Sequence, residues 1–343
     1  MTSRTKSFPP PRLSDLSSSS AGNFVSLAKK RTRSVTLVLG AGVSSSAGIP
    51  FWGQLLERMC AAFFEHWTFD KDANEFSPLK PPSKMSIAFT DHDYYSLNAT
   101  KLGKTLASGD LLLAAQQIKN CIRDDDWSYL LRKVLYGPIE GAPKSSSLID
   151  ALGRFCACDA RTVRAVISYN YDDLLAHVFS SNGTKHQRLY DGKKPSQEEL
   201  SLPIYFVHGF LPIKGGVTSR IVLAETDYQQ EAASPFAWGN QVQLLHFAQS
   251  TCIFVGNSMT DPNARRLLRL ARSTSDSPHY CFLPQSNSDK DKPFEVLFDH
   301  DLSKMGVRPI RFPKRDSDDP YSRLPELIDL LACAANNADA IWA

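Results

Sequence analysis

The sequence contains no Cys-x-x-Cys pair, no run of 18 apolar residues and no large excess of charge of either sign. Each absence removes a class. A closed structural zinc site built from two such cysteine pairs is excluded, because four thiolates are needed to complete its tetrahedron. Cys156-Ala-Cys158 is a single pair at the wrong spacing, and Cys60, Cys121, Cys252, Cys281 and Cys333 stand alone, so no metal is expected. An odd number of isolated thiols, several in apolar surroundings, fits small packed side chains in a reducing, cytoplasmic setting. The missing apolar run speaks against a membrane helix, and the N-terminus has no apolar stretch of the secretory kind. The net charge is +3, but residues 1–33 hold seven Lys/Arg against one Asp, which leaves the remaining chain near −3. A body of that charge lacks the basic face that phosphate binding needs, so nucleic acid is not an expected partner.

What the chain does have is apolar material, 42% of 343 residues, enough for a large core. Residues 1–33 read as a flexible basic tail, loosely like a transit peptide, with Pro9 to Pro11 and Ser17 to Ser20 typical of unpacked segments. Phe24, Val25 and Leu27 suggest a short lead-in helix. Val35–Leu39 is a continuous apolar, β-branched run of strand length, as in a strand buried on both faces. Further strand candidates are Val163–Ser168, Ile204–Val207, Arg220–Leu223, Cys252–Val255, Tyr280–Leu283 and Pro309–Phe312. Helical spacing marks 47–66, 111–118, 127–135, 235–249, 262–271 and 324–335. This rhythm predicts an α/β fold, a Rossmann-like doubly wound parallel sheet. Residues 34–68 and 159–343 form that sheet domain, and 69–158 is an all-helical insertion.

Four strand-end loops carry the candidate chemistry. Gly40-Ala41-Gly42-Val43-Ser44 leaves the first strand, and Gly48-Ile49-Pro50 with Trp52 follows. Small residues there let backbone N–H groups approach a diphosphate at a helix start, although a tight turn needs glycine too. The third glycine of the usual dinucleotide fingerprint is absent, position 45 being Ser, and no ribose-binding acid is identifiable, which disfavours a hydride-transfer dehydrogenase. Asn170, Asp172 and Asp173 follow Val163–Ser168; either aspartate suits a helix cap equally well, but capping does not explain Asn170. His208-Gly209 closes another apolar strand, where the imidazole is either structural or a base near neutral pH, and the glycine admits a ligand closely. Gly256-Asn257-Ser258, with Asp261 and Pro262 opening a helix, is either a capped turn or a holder for ribose or phosphate. Arg265, Arg266 and Arg269 beyond it read as solvated or interfacial charges.

Taken in chain order, these loops resemble the sirtuin (SIR2) family. Gly40 to Ser44 with Gly48-Ile49-Pro50 is similar to its first nucleotide loop, Ser168 to Asp172 to its Thr-Gln-Asn-Ile-Asp-like segment, His208-Gly209 to its catalytic His-Gly, and Gly256-Asn257-Ser258 to its later Gly-x-Ser turn. The departure is the missing zinc module of protein-deacylating members. The segments ending in Trp52 and containing Tyr169-Asn170-Tyr171-Asp172 look most like the sirtuin-like NAD glycohydrolases of bacterial antiphage defence. The resemblance implies NAD+ as substrate, with hydrolysis to nicotinamide and ADP-ribose. It implies catalytic roles for Asn170, His208 and Asp172, and binding roles for Gly40, Ala41, Gly42, Ser44, Gly48, Ile49, Pro50, Trp52, Gly256, Ser258 and Asp261. It also implies a homo-oligomer or a partner such as a HerA-type ATPase or an Argonaute. Two other classes share these motifs: an NAD-dependent deacylase or ADP-ribosyltransferase, and a non-catalytic NAD or ADP-ribose-binding assembly subunit.

Overall fold

The computed structural model describes residues 13–28, 35–81, 104, 111–137, 145–158, 162–196, 201–214, 219–275, 277–314 and 319–336. Helix α1 (Ser18–Ala28) precedes strand β1 (Val35–Leu39), after which the short α2 (Ala41–Ser45) leads into α3 (Trp52–His66). A hairpin of β2 (Trp67–Asp70) and β3 (Glu75–Pro78) follows, then α4 (Leu111–Asn120), α5 (Asp124–Tyr136) and α6 (Ser147–Cys158). The rest alternates through β4 (Val163–Ser168), α7 (Leu174–Ser181), β5 (His186–Leu189), β6 (Leu202–Phe206), α8 (Glu225–Ala233) and α9 (Trp238–Gln249). It ends with β7 (Thr251–Val255), α10 (Pro262–Arg272), β8 (His279–Gln285), α11 (Lys292–Lys304), β9 (Val307–Pro313) and α12 (Leu324–Asn336).

Seven strands make one sheet in the order β5-β6-β4-β1-β7-β8-β9, and every pairing is parallel. The Rossmann-like doubly wound sheet expected from the apolar runs is therefore present. All five residues of β1 are buried, because helices cover both of its faces. Leu37 and Leu39 face a core shared with α3, α6 and α12, whereas Val38 packs with Phe254, Leu267 and Leu268 on the other side. Thr36 also turns to that second side, where its buried hydroxyl meets Ser250 Oγ at 2.8 Å and His246 Nδ1 at 2.9 Å, so the polar group is satisfied. From β1 the chain moves outward to β4, and after β6 it crosses back to β7 on the opposite flank of β1. The middle strands β6, β4, β1 and β7 thus end side by side, and such a switch point is where open α/β sheets bind ligands.

Several expectations change. Arg220–Leu223 is not a strand: Ile221, Val222 and Leu223 are buried, but among the described residues its backbone-to-backbone link is Val222 N–H donating to His208 O at 2.9 Å, with no strand ladder. The edge strand β5 escapes notice because His186, Gln187 and Arg188 are polar and incompletely buried. The insertion is not all-helical among the described residues. Asp70 Oδ1 accepts Asp72 N–H and Ala73 N–H, Asn74 takes φ +52°, and Phe69 stacks near Phe76, which in turn packs on Phe63, so the chain reverses into the hairpin. The helix expected over 47–66 begins only at Trp52, because Gly48 sits at φ +93° and Pro50 cannot continue the earlier turn.

The serine run expected to be unpacked starts α1 instead, with Ser17 Oγ accepting Ser20 N–H at 3.3 Å. Ser20, Phe24 and Leu27 recur at helical spacing and turn one face inward. Ser20 Oγ accepts Arg311 N–H of β9, Asn23 donates to Pro309 O, and Phe24 meets Phe282 edge-on with ring centres 6.4 Å apart. Residues 1–12 and 29–34, which include Pro9 to Pro11 and Lys29 to Arg31, lie outside the described residues. Phe24 is fully buried, so Phe24→Ala is expected to lower unfolding free energy by about 3–5 kcal/mol in urea titrations. A loss below about 1 kcal/mol would show that α1 is dispensable to the core.

Candidate active site at the carboxyl edge of the sheet

The loops after β1 and β7 touch through backbone alone. Gly40 N–H donates to Val255 O at 3.1 Å, and Gly42 N–H donates to Gly256 O at 2.8 Å. A Cβ at Gly40 would fall 2.6 Å from Gly256 O, and one at Gly42 would fall 2.8 Å from Gly256 Cα and 2.4 Å from the Tyr321 ring. Gly256 itself has φ +61°, and its Cβ would meet Val43 N at 2.5 Å. The glycine spacing is thus required first by the meeting of the two loops. Next to it the buried Met259 also holds a positive φ of 59°, its N–H donating to Asn257 Oδ1 at 2.8 Å.

Above these loops opens a cavity of about 520 Å³, of a size suited to a small-molecule site. One wall is made by the four central strand ends: Gly40, Ala41, Gly42 and Ser44 after β1, Asn170 and Asp172 after β4, His208 after β6, and Gly256, Ser258 and Asp261 after β7. Ile49 and Pro50 before α3, Trp52 at its start, Leu112 of α4 and Leu135 of α5 also line it. Every residue given a catalytic or binding role by the resemblance lines the cavity except Gly48, which sits in the adjoining turn; Asp173 and Gly209 do not line it. Tyr169 and Tyr171 of the quoted Tyr-Asn-Tyr-Asp segment also line the cavity, as do Tyr228 and Tyr321, which no sequence motif marked. Tyr228 lies on α8, a helix without clear apolar periodicity, and Tyr321 lies in the turn before α12. Gly209 has a different purpose from the one expected: at φ +105° its missing Cβ makes room for Arg220 O of the same chain.

Asn170 ties two strand ends together. Its Nδ2 donates to Gly40 O and to Ser44 Oγ, each at 3.0 Å, and the Ser44 hydroxyl donates in turn to the Asp172 carboxylate. These bonds use the amide N–H groups and leave Oδ1 over as an acceptor. Asp172 also accepts Leu174 N–H at 3.2 Å, whereas Asp173, at the cap position of α7, makes no cap bond; it accepts Ile213 N–H and lies 3.2 Å from His177. Burial pushes the Asp172 carboxyl up to about 6, against the pull of the Ser44 and Leu174 donors.

His208 is buried as well, which pushes its pKa down, while the nearby Asp261 carboxylate acts in the opposite direction. Its Nε2 lies 3.7 Å from Asp261 Oδ2 and has no hydrogen-bond partner. Trp52 Nε1 is likewise buried and unpaired. Unsatisfied buried polar atoms are costly, so both call for a partner. Asp261 Oδ1 caps α10 by accepting Ala264 N–H at 2.6 Å. The arginines that follow are not all solvated: Arg265 is mostly buried, paired with Asp301 and donating to Met259 O at 2.9 Å. Among the described residues no three His, Cys, Asp or Glu side chains gather as metal ligands would. None of the described helices is long and apolar enough to cross a membrane.

Residues 164–310 match the SIR2-like domain family. No curated protein matches the chain. The SIR2-like match runs from β4 into β9 and includes Asn170, Asp172, His208 and the 256–261 turn; the 40–52 loop precedes it. SIR2-like domains use NAD+, so the match supports an NAD-related function for this part of the sheet.

The Asp172 carboxyl gives a pH signature. Its folded pKa of about 6 exceeds that of an unfolded aspartate, roughly 3.9, so between those values the native state binds more protons than the unfolded one. The contribution is fully present below about pH 4 and is lost as pH rises through 6. Asp172→Asn is expected to flatten the fall in stability between about pH 4 and 6 when urea titrations are repeated across that window. An unchanged slope would rule out Asp172 as its source.

Proposed function

We propose that this chain is an NAD+ hydrolase that cleaves the bond between nicotinamide and ribose, releasing nicotinamide and ADP-ribose. The observation that carries the reading is the convergence of an imidazole, His208, and a carboxamide, Asn170, from adjacent strand ends onto one glycine-walled cavity. The SIR2-like match over those same strand ends supports it. Loss of nicotinamide leaves positive charge on the ribose, as in glycoside hydrolysis, and a site need only tolerate that charge and align a water.

The residues fit these tasks. Burial keeps His208 neutral and able to accept a proton near pH 7. Asp172, ionised above its pKa of about 6, faces developing positive charge or orients the nicotinamide. Asn170 Oδ1 is available to a ribose hydroxyl or to the attacking water, while its amide holds Gly40 and Ser44 in place. Backbone amides of the Gly40–Ser44 and Gly256–Ser258 turns, with the paired hydroxyls of Ser258 and Thr260, suit the diphosphate and adenosine side. Trp52, Leu112 and Leu135 give part of the cavity an apolar lining that limits bulk water.

The likeness of the Trp52 and Tyr169–Asp172 segments to sirtuin-like antiphage NAD glycohydrolases supports a role as a defence effector that depletes NAD+. Phe294, Val296 and Leu297, exposed together on α11, support the companion proposal that the chain works in an assembly, as a homo-oligomer or with a separate partner protein. Native mass measurement of the purified chain is expected to exceed one protomer, and a monomer at every concentration would count against self-association.

The activity test is to incubate the protein with NAD+ and quantify nicotinamide and ADP-ribose. His208→Ala is expected to lower kcat by about 10² to 10⁴-fold with KM little changed. Asn170→Ala is expected to impair both kcat and KM, because it frees the loops as well as removing Oδ1. Equal rates in the parent and both variants would overturn the assignment.

A further inference from the structure

We propose that Asp261 is a positioning residue for His208, holding the imidazole in one tautomer from the N-terminal end of α10 rather than contacting the ligand. The two oxygens of this carboxylate are divided between tasks. Oδ1 is fixed by Ala264 N–H at 2.6 Å, with Pro262 occupying the first helical position, and Oδ2 is left 3.7 Å from His208 Nε2. That nitrogen is enclosed and has no hydrogen-bond partner, so Asp261 Oδ2 is the acceptor placed to receive its proton. The gap exceeds a hydrogen bond of roughly 2.7–3.2 Å, and a movement of less than about 1 Å closes it. Because the helix cap anchors the other oxygen, the carboxylate pivots without leaving the imidazole.

Two phenol rings flank the imidazole. Tyr169, from the loop after β4, meets the ring edge-on with centres 4.7 Å apart, and Tyr228, from α8, does so at 5.6 Å. The Tyr169 hydroxyl donates to Gln243 Oε1, and the Tyr228 hydroxyl is hydrogen-bonded to Asp261. Burial raises both phenols well above their ordinary range, so they stay neutral and the Asp261 carboxylate is the charge the imidazole meets. Donation of Nε2–H to Oδ2 leaves the lone pair on Nδ1, which is how a third group orients a catalytic base. The inference rests on the reading of His208 as the base of the reaction.

The test separates the two ideas. The His208 imidazole is titrated by NMR in the full chain, assigned by its loss in His208→Ala, and compared with Asp261→Asn and Asp261→Ser. Asparagine and serine both cap helices well, so thermal stability is expected to change little while the charge is removed. The His208 pKa is expected to fall by about one pH unit in both variants. The acid limb of the kcat/KM profile for NAD+ should move to lower pH with it, with kcat down at least about tenfold and KM nearly constant. An unmoved His208 titration in both folded variants overturns the proposal, whatever their turnover. So does a rise in KM at constant kcat, which would make Asp261 a ligand-binding residue. If the parent releases no nicotinamide, the hydrolase reading fails on its own assay while the titration still decides this one.

Discussion

Backbone-to-backbone contact between the turn after β1 and the turn after β7 sets the geometry of everything above the sheet. The Gly42 amide rests on the Gly256 carbonyl, and neither partner has room for a Cβ. This contact holds the first and fourth strand-end loops at one distance. Asn170 then fastens the loop after β4 to the same assembly through Gly40 and Ser44. His208 completes the row from β6. The floor of the cavity is in this way locked by hydrogen bonds and glycine contacts, which is the preorganisation that a reaction depending on alignment needs.

The electrostatic character of the cavity follows from the burial of its titratable side chains. Burial raises the Asp172 carboxyl and lowers the His208 imidazole, so each is driven toward its uncharged form. Buried titratable groups with perturbed ionisation that face one cavity are a recurrent feature of catalytic sites. Asp172 is tempered by the Ser44 and Leu174 donors, and His208 by Asp261. Neither partner is an exposed surface charge, so the balance is set inside the fold and is only weakly sensitive to salt.

Much of this was legible in the residues. Strands β1, β4, β6, β7 and β8 announce themselves as largely apolar runs because a strand covered on both faces has no polar face to alternate with, whereas the edge strand β9 interleaves Arg308 and Arg311. The same rule misleads at Arg220–Leu223, where three apolar residues are buried by crossing beneath the His208 turn and not by joining the sheet. It is silent for β5, whose polar residues lie at the sheet edge. His208, Asn170 and Asp172 were findable because a polar residue directly after an apolar strand is conspicuous. Tyr228 and Tyr321 were not, since each reaches the cavity from a segment with no periodic signal. Gly209 shows a subtler limit: the sequence marks that a side chain is forbidden, but not whether a ligand or the Arg220 carbonyl forbids it.

The packing of α1 on β9 has a consequence for how the molecule is made. Phe24 is made well before its aromatic neighbour Phe282, and Ser20 before the Arg311 amide that donates to it, each pair more than 250 residues apart. Until those late strands appear, the apolar stripe of α1 has no native surface to cover it, and closing so long a loop is entropically slow. The nascent chain therefore carries an uncovered apolar stripe on α1 until those strands are made, a state open to aggregation.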